Sequence, residues 1–317
     1  MEKNKSLKYI LIVGFFAIIT TLISYIFLVK PSEDTHQIVK VWGTKGSGDK
    51  QFQYVEDFAF DIKGNLLVTD ALNSTVTVYS KDGDFITKFA GKGTQDKHME
   101  KPEGIAVAPD GTIFVADYLS GYIKKYDKDY NYLQTFSGYG SEAGDTAESE
   151  FMDICPNGLL YVAEAGNHRV SVFKQNGDFV QTIGSYGSQD GQLKKPEASK
   201  CDKEGNVYVS DLGNDRIQVF SPEGKFLRKW GVRGIENGDL KRPAGIAIDK
   251  DDNIFVSEIG NNRIQKFDKY GKFLYAFGKQ GTKIGEFGNL HGIIIDKSNN
   301  LYVADTANNR VQKIKVK

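Results

Sequence analysis

Five residues at a single repeat phase are the strongest candidates for chemistry. Glu56, Glu103, Glu150 and Glu197 follow one another at intervals of 47, and after Ala244 the series ends in His291. Four carboxylates and an imidazole around a common axis would offer oxygen ligands to a hard cation, Ca²⁺ above all. Zn²⁺ would want convergent histidines or cysteines, and the remaining histidines, His36, His98 and His168, fall at other phases. The simpler structural reading is a solvated funnel whose charges stand apart. A second set breaks the repeat. Where Ala59, Ala106, Ala247 and Ile294 recur, Asp153 and Lys200 stand instead, with Ser199 beside the latter. One period apart, Asp153 and Lys200 should meet as an ion pair on neighbouring strands, with contact to a polar ligand as the alternative. No Ser/His/Asp order, no His-Glu-x-x-His and no phosphate loop is present.

The elements that must position these residues follow from the same period. Asp70, Asp117, Glu164, Asp211, Glu258 and Asp305 also recur every 47 residues, each two positions after a valine, and six copies of 47 account for the 282 residues from 36 to 317. Within a copy, short runs of β-branched and aromatic residues alternate with Gly, Asn and Asp turns, the signature of strands and hairpins. In the fifth copy the runs are Ala244–Asp249, Ile254–Glu258, Ile264–Phe267 and Phe273–Phe277. Four strands per repeat of this length describe a propeller blade, so the expected fold is all-β, a six-bladed β-propeller. The sixth copy stops before its fourth strand, and Ile38–Trp42 is the counterpart of the missing one. The N-terminal strand is therefore expected to close the ring and remove its free edges.

Asn167-His168-Arg169-Val170, Asn214-Asp215-Arg216-Ile217, Asn261-Asn262-Arg263-Ile264 and Asn308-Asn309-Arg310-Val311 resemble the NHL repeat. The resemblance extends over residues 36–317 and implies a six-bladed propeller. Similar propellers include RNA-binding tripartite-motif proteins, peptidyl-hydroxyglycine lyases, calcium-dependent lactonases and extracellular sensor domains of bacterial kinases. Thr75 and Tyr122 stand at the arginine phase in blades one and two, and Ser120 at the asparagine phase. The acidic residue of each copy is read as architecture, closing a turn and pairing with Arg169, Arg216, Arg263 or Arg310 where an arginine is present. The ring Trp42, Phe89, Phe136, Ile183, Trp230 and Phe277 is read as blade-to-blade core. Cys155 and Cys201, on adjacent inner strands, are expected to be free buried thiols.

Residues 9–29 form an uncharged stretch of 21. As a helix it would span roughly 31 Å, the thickness of a bilayer core. With Lys3, Lys5 and Lys8 before it, the segment reads as a signal anchor with residues 1–8 in the cytoplasm. A linker at 30–35 would then lead to the propeller at 36–317, held outside the cytoplasm. Beyond residue 30 the chain carries 37 basic and 40 acidic side chains. That balance, with an acidic mouth, speaks against a nucleic-acid partner. The expected role is a membrane-anchored binding or scaffold module for a protein, peptide or glycan of the cell envelope. A metal-assisted lactonase or lyase using the acidic mouth is the alternative. No cofactor is expected apart from Ca²⁺ at that mouth.

Overall fold

In the computed structural model, which describes residues 35–93 and 95–317, each 47-residue unit is an antiparallel sheet of four strands. Blade five is Pro243–Ile248, Ile254–Glu258, Arg263–Phe267 and Phe273–Phe277, in that order across the sheet, within a residue of the bounds read from sequence. Its first hairpin turns through Asp252 at φ 61°, and the other five copies place Gly64, Gly111, Gly158, Gly205 and Asn299 there, all with positive φ. Only residues that tolerate the left-handed region fill this phase, and that keeps the hairpin geometry the same in every blade.

The ring closes as expected. His36–Trp42 pairs antiparallel with Arg310–Val316, from His36 opposite Val316 to Trp42 opposite Val311, so blade six is built from the first and last strands of the propeller. Apolar side chains pack between blades rather than within one. Trp42, Phe58, Val68, Tyr79 and Tyr302 form one such cluster, joining blades six and one. The rest of the aromatic ring packs in the same way: Phe136 lies 5.7 Å from Phe173, and Trp230 lies 5.9 Å from Phe267, centroid to centroid.

In blades three to six the arginine of each copy donates from Nε to the acidic residue five positions before it, at 3.1 Å for Arg169–Glu164 and 2.7 Å for Arg216–Asp211. Arg263–Glu258 and Arg310–Asp305 repeat the contact at 2.5 Å. The remaining nitrogens clamp the loop that enters the blade: Arg216 donates to the carbonyls of Ser188, Gln189 and Gln192. Blades one and two reach the same loop with lysines from other positions. Lys88 Nζ donates to the carbonyls of Ser47 and Gly48 at 3.0 and 2.7 Å, and Lys124 Nζ donates to that of Asp96. Asp70 and Asp117 keep their turn-closing role by accepting backbone N–H groups of Tyr54 and Glu100.

Cys155 and Cys201 are not free thiols but a disulfide, with a Cα–Cα distance of 5.4 Å. Inner strands converge on the axis, and this brings the ends of two neighbouring ones within bridging range. The proposed anchor at 9–29, with residues 1–8 and most of the linker, lies outside the described residues; among those described, no helix is long and apolar enough to cross a membrane.

Candidate functional site

The start of each inner strand faces the axis, and the backbone fixes it there through bonds between blades. Thr69 Oγ1 of blade one donates to the Glu103 carbonyl at 2.7 Å, and Ser257 Oγ of blade five donates to the His291 carbonyl at 2.6 Å. Adjacent inner strands approach so closely here that a Cβ at Gly104 would collide with the Glu150 carbonyl, and one at Gly292 with that of Glu56. These glycines narrow the mouth. As a result the four glutamates do not form a solvated funnel with separated charges. Glu56, Glu103 and Glu150 are only 3%, 3% and 7% exposed, and Glu197 is half-buried.

Together they line a cavity of about 200 Å³. His291 Nδ1 lies 3.1 Å from Glu56 Oε2, out of line for a hydrogen bond. Glu103 and Glu150 are neighbours whose like charges act on each other, and Lys101 Nζ pairs with Glu103 while resting 3.9 Å above the Tyr118 ring. Burial raises the affinity of all four carboxyls for protons. Glu56 is held well above the ordinary range by burial, against the pull of Lys101, and Glu150 by burial and the charges of Glu197 and Glu103. Glu197 is pushed up to about 7 by burial, partly offset by His291. Burial pushes His291 the other way, toward the neutral imidazole.

A second ring lies two residues before the first: Tyr54, Lys101, Glu148, Lys195, Arg242 and Asn289. Of these, Tyr54, Lys101, Glu148, Lys195 and Arg242 line the cavity. The spacing was visible in the sequence, but the mixed residue types hid it. Ala165, Leu212 and Ile259, again one period apart, supply an apolar wall.

Lower in the channel, Lys200 Nζ lies 3.4 Å from Asp153 Oδ1, the pairing expected from sequence. Asp153 Oδ2 also accepts the Cys201 N–H at 3.0 Å. Asp57, not singled out from sequence, joins them electrostatically: its carboxyl is pushed up to about 7 by burial, partly offset by Lys200. Ser199 is 1% exposed and donates to the Tyr161 carbonyl at 3.1 Å, so its hydroxyl belongs to the packing between blades. His98 and His168 accept the N–H groups of Gln95 and Lys195 and do not line the cavity. Among the described residues, no three His, Cys, Asp or Glu side chains are arranged to hold a metal ion.

Residues 240–314 match a family described as a 6-bladed beta-propeller, and residues 150–173 match the NHL repeat. No match to a curated protein was found. Solved structures similar to this one include a protein of unknown function from Bacteroides thetaiotaomicron, with a TM-score of 0.71 at 16% identity over 89% of this chain and 76% of that one. Virginiamycin B lyase from Staphylococcus aureus gives 0.63 at 14% identity, over 89% of this chain and 99% of that one. A gluconolactonase from Xanthomonas campestris gives 0.63 at 15%, over 84% and 87%. At such identities the likeness is one of fold. The chain is a six-bladed β-propeller that carries an NHL repeat.

Proposed function

We propose that the protein is a membrane-anchored, extracytoplasmic binding module whose axial well receives a polar group of a peptide, protein or glycan in the cell envelope. The observation that carries this reading is the well itself: six equivalent strand starts bear four carboxyls, an alanine and an imidazole beneath a rim of mixed charge. Architecture repeats in every blade, whereas a binding site needs the differences. On the same face, Leu72 and Leu119 are 59% and 53% exposed where other blades carry Gly166, Gly213, Gly260 and Ala307, an apolar lip suited to a partner. The Cys155–Cys201 disulfide supports a compartment outside the cytoplasm, because such bonds persist under oxidising conditions.

Photo-cross-linking tests the reading. A photoreactive phenylalanine analogue placed at Tyr118 should form a defined adduct with an envelope peptide, protein or glycan. The same analogue at Lys203, on the opposite face, should not. Equal labelling from both positions, or none from Tyr118, would remove the binding reading. Protease added to intact cells should digest the propeller if it lies outside, and protection would reverse that assignment.

An enzymatic reading, a metal-assisted lactonase or lyase, draws support from the buried carboxyls beside His291 and from folds shared with a lyase and a gluconolactonase. Measuring Ca²⁺ and Zn²⁺ in the purified protein separates it from the first, since absence of both would leave the lactonase or lyase without its metal.

A further inference from the structure

We infer that the well takes a primary ammonium group on a short aliphatic stem, as at a peptide's amino end or on a lysine-type side chain; the inference rests on the binding reading above. Charge comes first. Glu148 above the ring and the four glutamates within it make five acids, faced by Lys101, Lys195 and Arg242 and by a neutral His291. The carboxyls that line the well outnumber its cations.

Geometry agrees with the charge. An alkylammonium carries three N–H donors and a unit charge, and can offset the excess of carboxyls. His291 is a second sign that the site lacks a partner: its side chain is more than nine-tenths buried, lines the well, and has no hydrogen-bond partner at Nδ1 among the described residues. The volume of about 200 Å³ holds roughly six waters at ~30 Å³ each, enough for an ammonium and its methylenes. Ala165, Leu212 and Ile259 form the wall along which such a stem would lie. Arg242, exposed at the rim, acts on Glu197 through its charge and can meet the ligand's carbonyl or carboxylate.

Calorimetry on the full-length chain in detergent micelles tests this with the tripeptide Ala-Lys-Ala, its fully N-acetylated form, maltotriose and CaCl₂ as probes. Ala-Lys-Ala should bind at pH 7.5 and release protons, so its heat should change between phosphate and HEPES buffers. Acetylation should weaken binding by at least about ten-fold, and so should Glu150→Gln, in a variant whose unfolding midpoint shows it folded. If the acetylated peptide or maltotriose binds as tightly as Ala-Lys-Ala, or if only Ca²⁺ binds, the ammonium assignment falls while the binding reading stands. If no probe binds, the assignment falls too, and the Tyr118 cross-link then decides the binding reading separately.

Discussion

Trp42 lies opposite Val311 across the closing seam, and its indole touches a tyrosine on each side, Tyr79 of blade one at 6.1 Å and Tyr302 of blade six at 6.3 Å. One side chain from the start of the propeller thus packs against both blades that the seam must join. Trp42→Ala should cost about 3–5 kcal/mol in denaturant unfolding, the usual loss for a buried aromatic, and should expose His36–Trp42 to proteolysis before the rest of the ring. A loss below ~1 kcal/mol with unchanged proteolysis would mean the seam does not hold the ring.

The latch arginines and their lysine replacements should differ in weight. Asp211 is fully buried, and removing Arg216 leaves it with the uncharged donors Asn214, Gln218 and the Lys194 backbone N–H. Arg216→Ala should cost about 3 kcal/mol. Lys88→Met, at a solvated contact, should cost about 0.5–1 kcal/mol. Unfolding curves of the two variants give the comparison, and equal losses would refute it.

Thiol titration of the unreduced, unfolded protein should find no free cysteine. Reduction, or the double change Cys155→Ser with Cys201→Ser, should lower stability by about 2–4 kcal/mol, since the bridge closes a loop across a sequence separation of 46. Two titratable thiols would overturn the pairing.

Much of this architecture was legible in the sequence, because a strict period transmits phase. The seam, the acid–arginine pairs and the Asp153–Lys200 contact all follow from counting by 47. What phase does not transmit is distance from the axis. Gly104 and Gly292 set how tightly the inner strands close, and that tightness turns the glutamates from solvated charges into buried groups with raised proton affinity. The disulfide was missed for the same reason. Lys88 and Lys124 escaped notice because they reach the clamped loops from phases other than the arginine's.

Stability should fall as pH rises through neutrality. Glu197 and Asp57 stand near 7 when folded, Glu56 and Glu150 are also raised, and an unfolded carboxyl titrates near 4. A carboxyl whose folded pKa is raised takes up a proton on folding, so its relative stabilisation is full at low pH and is lost between about 4 and 7. His291 and His168, pushed down by burial, oppose this below about 6.5, where the unfolded chain takes their protons first. The unfolding midpoint should therefore be higher at pH 6 than at pH 8, and Glu150→Gln should reduce the difference. A midpoint that rises from pH 6 to 8 would contradict the assigned directions.

Because the chain enters the propeller through His36–Trp42, any pull on the preceding segment reaches that seven-residue strand before any other. The load path and the fastener are the same element. Tension at the amino end would peel His36 from Val316 first and work toward Trp42, so mechanical failure would begin by unclasping the wheel rather than by tearing a blade from its middle.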